Sequence, residues 1–465
     1  AALAFFEPLL AAEIEAQRYT VGEQAGFTVY ESVSPDSPTI AFGEDVLFLG
    51  TGDMVTLTMP DAPLSAAANF TAAIDNLPAD DYAAVIYVDY GAFQSTLLEA
   101  SSMAFGQGTD DDAAALDILQ DAAEYLVAGI SALDERTLIV DSVAQSNLDI
   151  LSELDYELFI PRPIDPAFAA RVPADAIAVI HTSEFGPAIQ NSLDSIRATG
   201  TYFQENGGYL SLIDPSGFLL GDLPAEGLDL GAITGVLNMG FAGFTGISLE
   251  RDFLPVLDGD MAFYLRAQLD EQFFLSPVLP DFGMIVSTSD GAAAQDLITD
   301  FKAASDAYES GYELEAFGAG QALNIDTVER LLGFGTPNLD LLVGADDDVF
   351  VFGTRNAATR ALDTTDGLAA DPTFSDASAH FVDDAQLVLY LSMEPVTDLL
   401  IALIESGDLP ADPEAGEVLR ALSLLESASV SIRTNAEGLG VQRFAITLGA
   451  EPLDLEFSDD VAMAN

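Results

Sequence analysis

Three clusters of aspartates carry the most chemistry that this sequence offers. Asp110, Asp111 and Asp112 are consecutive, as are Asp346, Asp347 and Asp348, while Asp258 and Asp260 flank Gly259. Carboxylates bunched in loops near glycine suit a hard cation such as calcium, which gathers oxygen ligands in flexible geometry. None of the clusters follows the loop spacing of an EF-hand. The two triplets are therefore candidate calcium ligands, set against the plainer reading of solvated helix caps and turns. No other cofactor is indicated.

Nucleophilic and phosphate chemistry find little support. The only histidines are His181, at a strand end, and His380, in a loop, and both read as structural or surface residues. The sequence holds no Gly-x-Ser-x-Gly elbow and no His-Glu-x-x-His pair. A P-loop is excluded because Lys302 is the only lysine and no glycine-rich loop precedes it. Gly333-Phe-Gly335 and Gly318-Ala-Gly320 lack the third glycine of a dinucleotide turn. With 77 acidic residues a carboxylate pair can be drawn anywhere, so the count gives no argument for a glycosidase. Cysteine is absent, which removes disulfides and thiol catalysis. A non-enzymatic protein is the expectation.

The charge balance narrows the partners. Only 14 lysines and arginines face the acids, leaving a net charge of −63 over 465 residues. Such a surface repels nucleic-acid phosphates, because it offers almost nothing to replace their counterions. Nucleic acid is thus excluded as a partner. A hydrophobic content of 49% and a mean hydropathy of +0.29 describe a chain with a sizeable core rather than a disordered acidic tail. Adaptation to high salt fits that apolar content poorly. A surface that collects divalent cations and an exported protein with few tryptic sites both remain open.

The run 230–249 carries no charge and is long enough to cross a membrane. Its five glycines and alternating polar residues instead predict a pair of half-buried strands. No membrane span is expected, and residues 1–6 lack the basic start of a signal peptide. The strand Asp45-Val-Leu-Phe-Leu-Gly-Thr51 recurs as Asp348-Val-Phe-Val-Phe-Gly-Thr354. A second pair, Asp80 to Tyr87 and Asp383 to Tyr390, keeps the same separation of 303 residues. Two strands in register over that distance predict an internal duplication. The strands at 45–49 and 82–88 lack a polar face, which predicts a central or doubly covered place in a sheet, and the 348–354 strand is expected to be central in its own.

Helices are predicted over 1–18 and after Asp112, the latter from Leu116, Leu119, Ala123, Leu126, Ile130 and Leu133. Residues 136–159 read as a strand pair, and Pro161, Pro163, Pro166 and Pro173 mark a boundary. A helix over 187–200, strands through 201–288 and a helix from Asp290 follow. Next come helices near 356–362, 396–406 and 414–426, a strand at 385–392, and closing strands at 428–434 and 440–448. The fold class is α+β, mainly antiparallel sheets with helices packed on them. The domains expected are a partial copy over 1–165 and a full copy over 166–465.

Several motifs along this order also form a family pattern. Val172-Pro-Ala-Asp175 opens a strand, and Asp252-Phe-Leu-Pro-Val-Leu-Asp-Gly-Asp-Met-Ala262 follows. Ile285 and Val286, the Asp290 to Ala294 helix start, the Phe-Gly-Thr strand and the acid-acid strand at 383–391 complete it. In the order and spacing of these motifs the chain resembles the bacterial family catalogued as domain of unknown function 3352. The likeness covers a full copy over about 172–450 and the second half of another over about 1–160. The resemblance implies an exported or membrane-tethered protein, and it brings neither an activity nor catalytic residues.

The function expected from all this is an extracytoplasmic structural or surface-assembly protein that self-associates. A binding module for an apolar small molecule or lipid is the alternative. A half-copy at the start would leave an open sheet edge within residues 1–50, through which a homo-oligomer or polymer could form. Either a longer precursor supplies the missing half or another chain completes it.

Overall fold

The computed structural model describes residues 14, 18–24, 27–33, 39–42, 47–50, 67–79, 81–89, 123–153, 158–206, 230–266, 281–307, 312–325, 341–363, 367–405 and 413–449. They fall into two compact units, Ala1–Thr71 and Ala72–Asn465, each taken by itself.

In the first unit the alternation of Phe27, Thr28, Val29 and Tyr30 produces a strand, as predicted. Strands β1 (Tyr19–Gln24), β2 (Phe27–Ser32), β3 (Thr39–Phe42) and β4 (Leu47–Gly50) form an antiparallel meander in chain order. Phe27, Val29 and Ala41 make one buried group, and Tyr30 meets Phe42 edge-on with ring centroids 5.6 Å apart. Of the helix predicted over 1–18, only Ile14 and Arg18 lie among the described residues.

The second unit begins with helix α1 (Ala68–Asp75), whose first residues belong to the first unit, and strand β5 (Ala84–Asp89). Strands β6 (Ala123–Ala132) and β7 (Thr137–Ser146), the short helix α2 (Leu148–Glu153), β8 (Ala176–Thr182) and helices α3 (Phe185–Asn206) and α4 (Leu230–Thr245) follow. Next come β9 (Met261–Arg266), β10 (Asp281–Ser287), α5 (Gly291–Ala307), β11 (Glu313–Phe317) and β12 (Gly320–Ile325). Then β13 (Leu341–Ala345), β14 (Val349–Thr354), α6 (Arg355–Asp363) and α7 (Pro372–Ser378) lead to β15 (Leu387–Ser392). Helices α8 (Met393–Glu405) and α9 (Pro413–Leu422) precede β16 (Leu425–Thr434) and β17 (Leu439–Leu448).

All the described strands of this unit join one antiparallel sheet of 13, in the order β11-β12-β13-β14-β10-β9-β8-β15-β16-β17-β7-β6-β5. The α+β class with large antiparallel sheets is therefore the observed one. The sheet also crosses the 165/166 position, because β7 pairs with β17. Its two faces bury different residues, as a period of two requires. On β14, Val349 and Val351 enter the larger core with Tyr264, Ile285 and Leu342. Phe350 packs on the opposite face with Leu257, Val286 and Ile298, where Phe352 lies against it. β14 lies between β13 and β10, the central position its apolar sequence predicts.

Helix starts follow local chemistry. Asp371 accepts the Phe374 N–H at 2.8 Å ahead of Pro372, and Asp290 accepts the Ala293 N–H at 3.0 Å ahead of α5. Side-chain oxygens at these positions satisfy backbone donors that the first turn leaves open.

Several expectations need correction. Residues 230–245 are a helix, not a strand pair; a helix satisfies its own backbone groups, and α3 supplies a packing surface, with Arg197 Nε donating to Thr234 Oγ1 at 2.9 Å. The glycine cost of about 1 kcal/mol each is offset by such tertiary contacts. Residues 123–132 are strand β6, because Tyr125 and Val127 alternate into the core while Ile130 and Leu133 stay exposed. Leu116 and Leu119 lie outside the described residues. Among the described residues of 136–159 there is one strand, β7, followed by α2. α3 runs through Gly200 to Asn206, so the strands described within 201–288 are only β9 and β10. Finally, among the described residues β5 is neither central nor covered: it ends the sheet order, with Val85 and Ile86 exposed.

Candidate functional site

The side of the sheet that carries α5 holds a cavity of about 600 Å³. Its floor is Met284 of β10, Leu323 and Ile325 of β12, Val343 of β13, and Phe350 and Phe352 of β14. These are alternate residues of neighbouring strands, so one sheet face presents them together. The roof comes from Phe241, Gly243 and Thr245 of α4, Phe253, and Phe301 and Ser305 of α5, with Tyr312 beyond. The aromatic rings brace one another. Phe253 stands edge-on to Phe350 at 5.6 Å and lies 4.9 Å from Phe241.

Among the described residues, no charged side chain lines this cavity. Among its polar groups, Thr245 is committed, donating to Phe241 O at 2.6 Å. Ser305 is different. Its hydroxyl is buried and has no hydrogen-bond partner among the described residues. An unpaired buried hydroxyl costs about 1–3 kcal/mol, so the apolar wall carries one unmet polar demand. The sequence signal for Ser305 was absent, since a serine late in a helix reads as an ordinary surface residue.

A second cavity, of about 570 Å³, lies on the opposite face and is more mixed. Val179, His181, Phe374 and Val388 line it, with Asp383 and Asp384. His181 is buried, stacks against Phe168 at 5.4 Å and shares a 3.0 Å hydrogen bond with Asp260 Oδ2. The Asp165 N–H donates to the same oxygen at 2.6 Å, and Arg162 pairs with the other. Burial alone would push the Asp260 carboxyl up, but His181, the Asp165 N–H and Arg162 together hold it below its ordinary range. The pair joins β8 to the loop before β9 and to the 158–165 segment, which accounts for it structurally.

The predicted calcium ligands are not gathered into one site by the described residues. Asp346 Oδ1 accepts the N–H groups of Ala319 and Asp347 at 3.0 and 2.8 Å, closing the turns beside β14. Asp348 forms an ion pair with Arg171. Asp258 accepts from Ser289, and Asp260 is engaged as described. Asp110, Asp111 and Asp112 lie outside the described residues. Among the described residues no group of three or more histidine, aspartate or glutamate side chains is placed to hold a metal ion. Likewise, no described helix is long and apolar enough to cross a membrane.

No family model, curated protein or solved structure matches this chain.

Proposed function

We propose that this chain binds a neutral, largely apolar small molecule in the cavity between the β10–β14 face and helices α4 and α5. The observation that carries the reading is the Ser305 hydroxyl, buried on a wall of phenylalanines with no hydrogen-bond partner among the described residues. A ligand whose single polar atom meets that hydroxyl would remove its cost, while the hydrophobic effect holds the remainder. The described lining residues carry no charge, which disfavours a carboxylate or sulfonate, since none of them offers a counter-charge. The volume lies within the usual span of small-molecule pockets, roughly 300–1,000 Å³. The family resemblance would place such a binder outside the cytoplasm.

The test is a fluorescence titration with N-phenylnaphthylamine, a neutral probe, and with anilinonaphthalene sulfonate, its anionic counterpart. The neutral probe is expected to bind saturably at one site, and the sulfonate about tenfold more weakly. Val343→Phe and Leu323→Phe, which fill the floor, should abolish that site in proteins that still melt cooperatively. Equal binding by the filled variants would overturn the reading.

Self-association through an edge within residues 1–50 is a second reading, favoured by one observation. β1 and β4 are the outer strands of their sheet, and β1 is exposed from Thr20 to Gln24. Exposed strand edges recruit partner strands. With a net charge of −63, association should strengthen with acid, salt or divalent cations and loosen with chelator at low salt. Light scattering indifferent to all of these would remove this reading.

A further inference from the structure

Strands β5, β6 and β7 have the same order and antiparallel pairing as β15, β16 and β17, and the two sets meet where β7 pairs with β17. Read from β15 to β5, the sheet is therefore a strand palindrome about the β17–β7 ladder. The register corresponds to within one residue. Val85 lies opposite Gly129 on β6, and Val388, which is 303 residues further on, lies opposite Ser431 on β16, 302 residues beyond Gly129. α1 and α7, the helices that precede β5 and β15, also stand at this separation, with α1 at Ala68–Asp75 and α7 at Pro372–Ser378.

The correspondence fails at one place. β15 has a second neighbour, β8, with His181 opposite Val388, Ile180 opposite Leu389 and Val179 opposite Tyr390. Among the described residues β5 has no second neighbour. The consequence is measurable at equivalent side chains: Val388 is 2% exposed and Val85 is 42%, while Leu389 is 36% exposed and Ile86 is 61%. The valine is buried in one place and exposed in the other among the described residues, and the residue after it is the more exposed of its pair on β5. An apolar edge strand without charge, proline or bulge along Ala84 to Val88 lacks the features that normally block pairing.

We propose that the outer edge of β5 is a docking site for an extended segment of a second polypeptide, taken up as an antiparallel strand. That segment occupies the place against β5 that β8 holds against β15. Its chemistry follows from β8, whose residues 176–182 are Ala-Ile-Ala-Val-Ile-His-Thr: an uncharged run with β-branched residues on both faces. Main-chain hydrogen bonds to the β5 edge supply the affinity, and apolar side chains covering Val85 and Ile86 supply the selectivity. An acidic segment is disfavoured by the net charge of −63.

The probe is a fluorescein-labelled peptide of residues 176–183 with two lysines appended for solubility, beside a peptide of the same composition in scrambled order. Anisotropy titration of the full chain should show saturable binding, with the scrambled peptide about tenfold weaker or worse. Hydrogen exchange should slow about tenfold at β5 when the peptide is bound, with β11 and β1 unchanged. Ile86→Lys, an exposed substitution, should weaken the peptide about tenfold while leaving the melting curve in place. Ile86→Pro should abolish binding. The proposal is overturned if both peptides bind alike, if protection falls on another strand, or if binding survives Ile86→Pro. It is equally overturned if the β5 amides are all protected in the free chain and the peptide does not bind, because the edge is then already covered from within. Probe binding in the α4–α5 cavity is read separately, so either idea can fail alone.

Discussion

Arg266 and Asp281 stand opposite each other on the β9–β10 ladder, and both are buried. The Arg266 guanidinium pairs with Asp281 and also grips Asp175 through Nε and Nη2, at 2.8 and 2.6 Å. Thr354 donates to Asp281 as well. Burial pushes the Asp281 carboxyl up, whereas the hydrogen bonds from Arg266 hold Asp175 down. One guanidinium thus bridges two acids, of which Asp175 is in contact with water and Asp281 is not. Arg266→Met would strand Asp281 as an unpaired buried acid, a defect worth about 3–5 kcal/mol. The double variant with Asp281→Leu should recover most of that loss. Denaturant melts of the two variants check this; a single-variant loss under about 1 kcal/mol would mean that water reaches the pair.

Asp260 gives a pH dependence with a definite sign. Its folded-state pKa lies below the ordinary value of 3.8, so the folded chain favours the ionised form. The stability it contributes is fully present above that ordinary value and is lost as pH falls through the depressed folded value. Asp260→Asn should therefore be less stable than the parent chain at neutral pH, with the gap closing only in acid, below about pH 4. Urea melts across the acid range check it. A gap that widened on acidification would contradict the assignment.

Much of this architecture was legible in the chain. The Val349 to Thr354 strand announced its central place through an unbroken apolar run, and the structure buries it between β13 and β10. The same logic failed for Ala84 to Asp89, which ends the sheet order among the described residues, because an apolar run of this length reads alike at the centre and at the edge of a sheet. The strand β6 was hidden by coincidence. Ala123, Leu126, Ile130 and Leu133 fit a helical stripe, yet the buried residues Tyr125 and Val127 follow a period of two. In 230–245, alternation gave the wrong period because glycines blur both patterns and only α3 decides between them. The cavity was not legible at all. Its walls come from segments more than a hundred residues apart, from Phe241 to Phe352, and an unpartnered serine has no sequence signature.

Phe350 bridges fold and cavity. It is 2% exposed, forms part of the cavity floor and supports Phe253 edge-on. Phe350→Ala should cost about 3–5 kcal/mol through lost burial and an enlarged void. Ser305→Ala should act in the opposite direction, stabilising the ligand-free chain by about 1 kcal/mol by removing an unpaired hydroxyl. The same change should weaken a ligand that uses that hydroxyl. Thermal melts with and without N-phenylnaphthylamine separate the two effects; a destabilised, ligand-free Ser305→Ala chain would show that the hydroxyl is already satisfied.

The β7–β17 ladder joins strands from opposite ends of the chain, and one buried constellation sits at its middle. Asp141, fully buried, lies opposite Arg443, which donates to it from Nε and Nη2 at 2.6 and 2.9 Å. The Tyr82 hydroxyl donates to Asp141 Oδ2 at 2.7 Å and accepts the Ala79 N–H at the same distance. The Tyr82 ring lies over Gly129, where a β-carbon would sit only 2.4 Å from it. This network ties β5 and β6 to a ladder whose other side is the C-terminal hairpin, so it is a fastening point for the whole end of the sheet. Arg443→Met leaves Asp141 buried and unpaired and should cost about 3–5 kcal/mol. Tyr82→Phe removes one charge-assisted hydrogen bond and should cost about 2 kcal/mol. Because the damage is local to one end, hydrogen exchange in Arg443→Met should quicken first at β5, β6 and β7, with β9, β10 and β14 still protected. Uniform loss of protection across all thirteen strands would show that the sheet unfolds as one unit and that this end has no separate fastening.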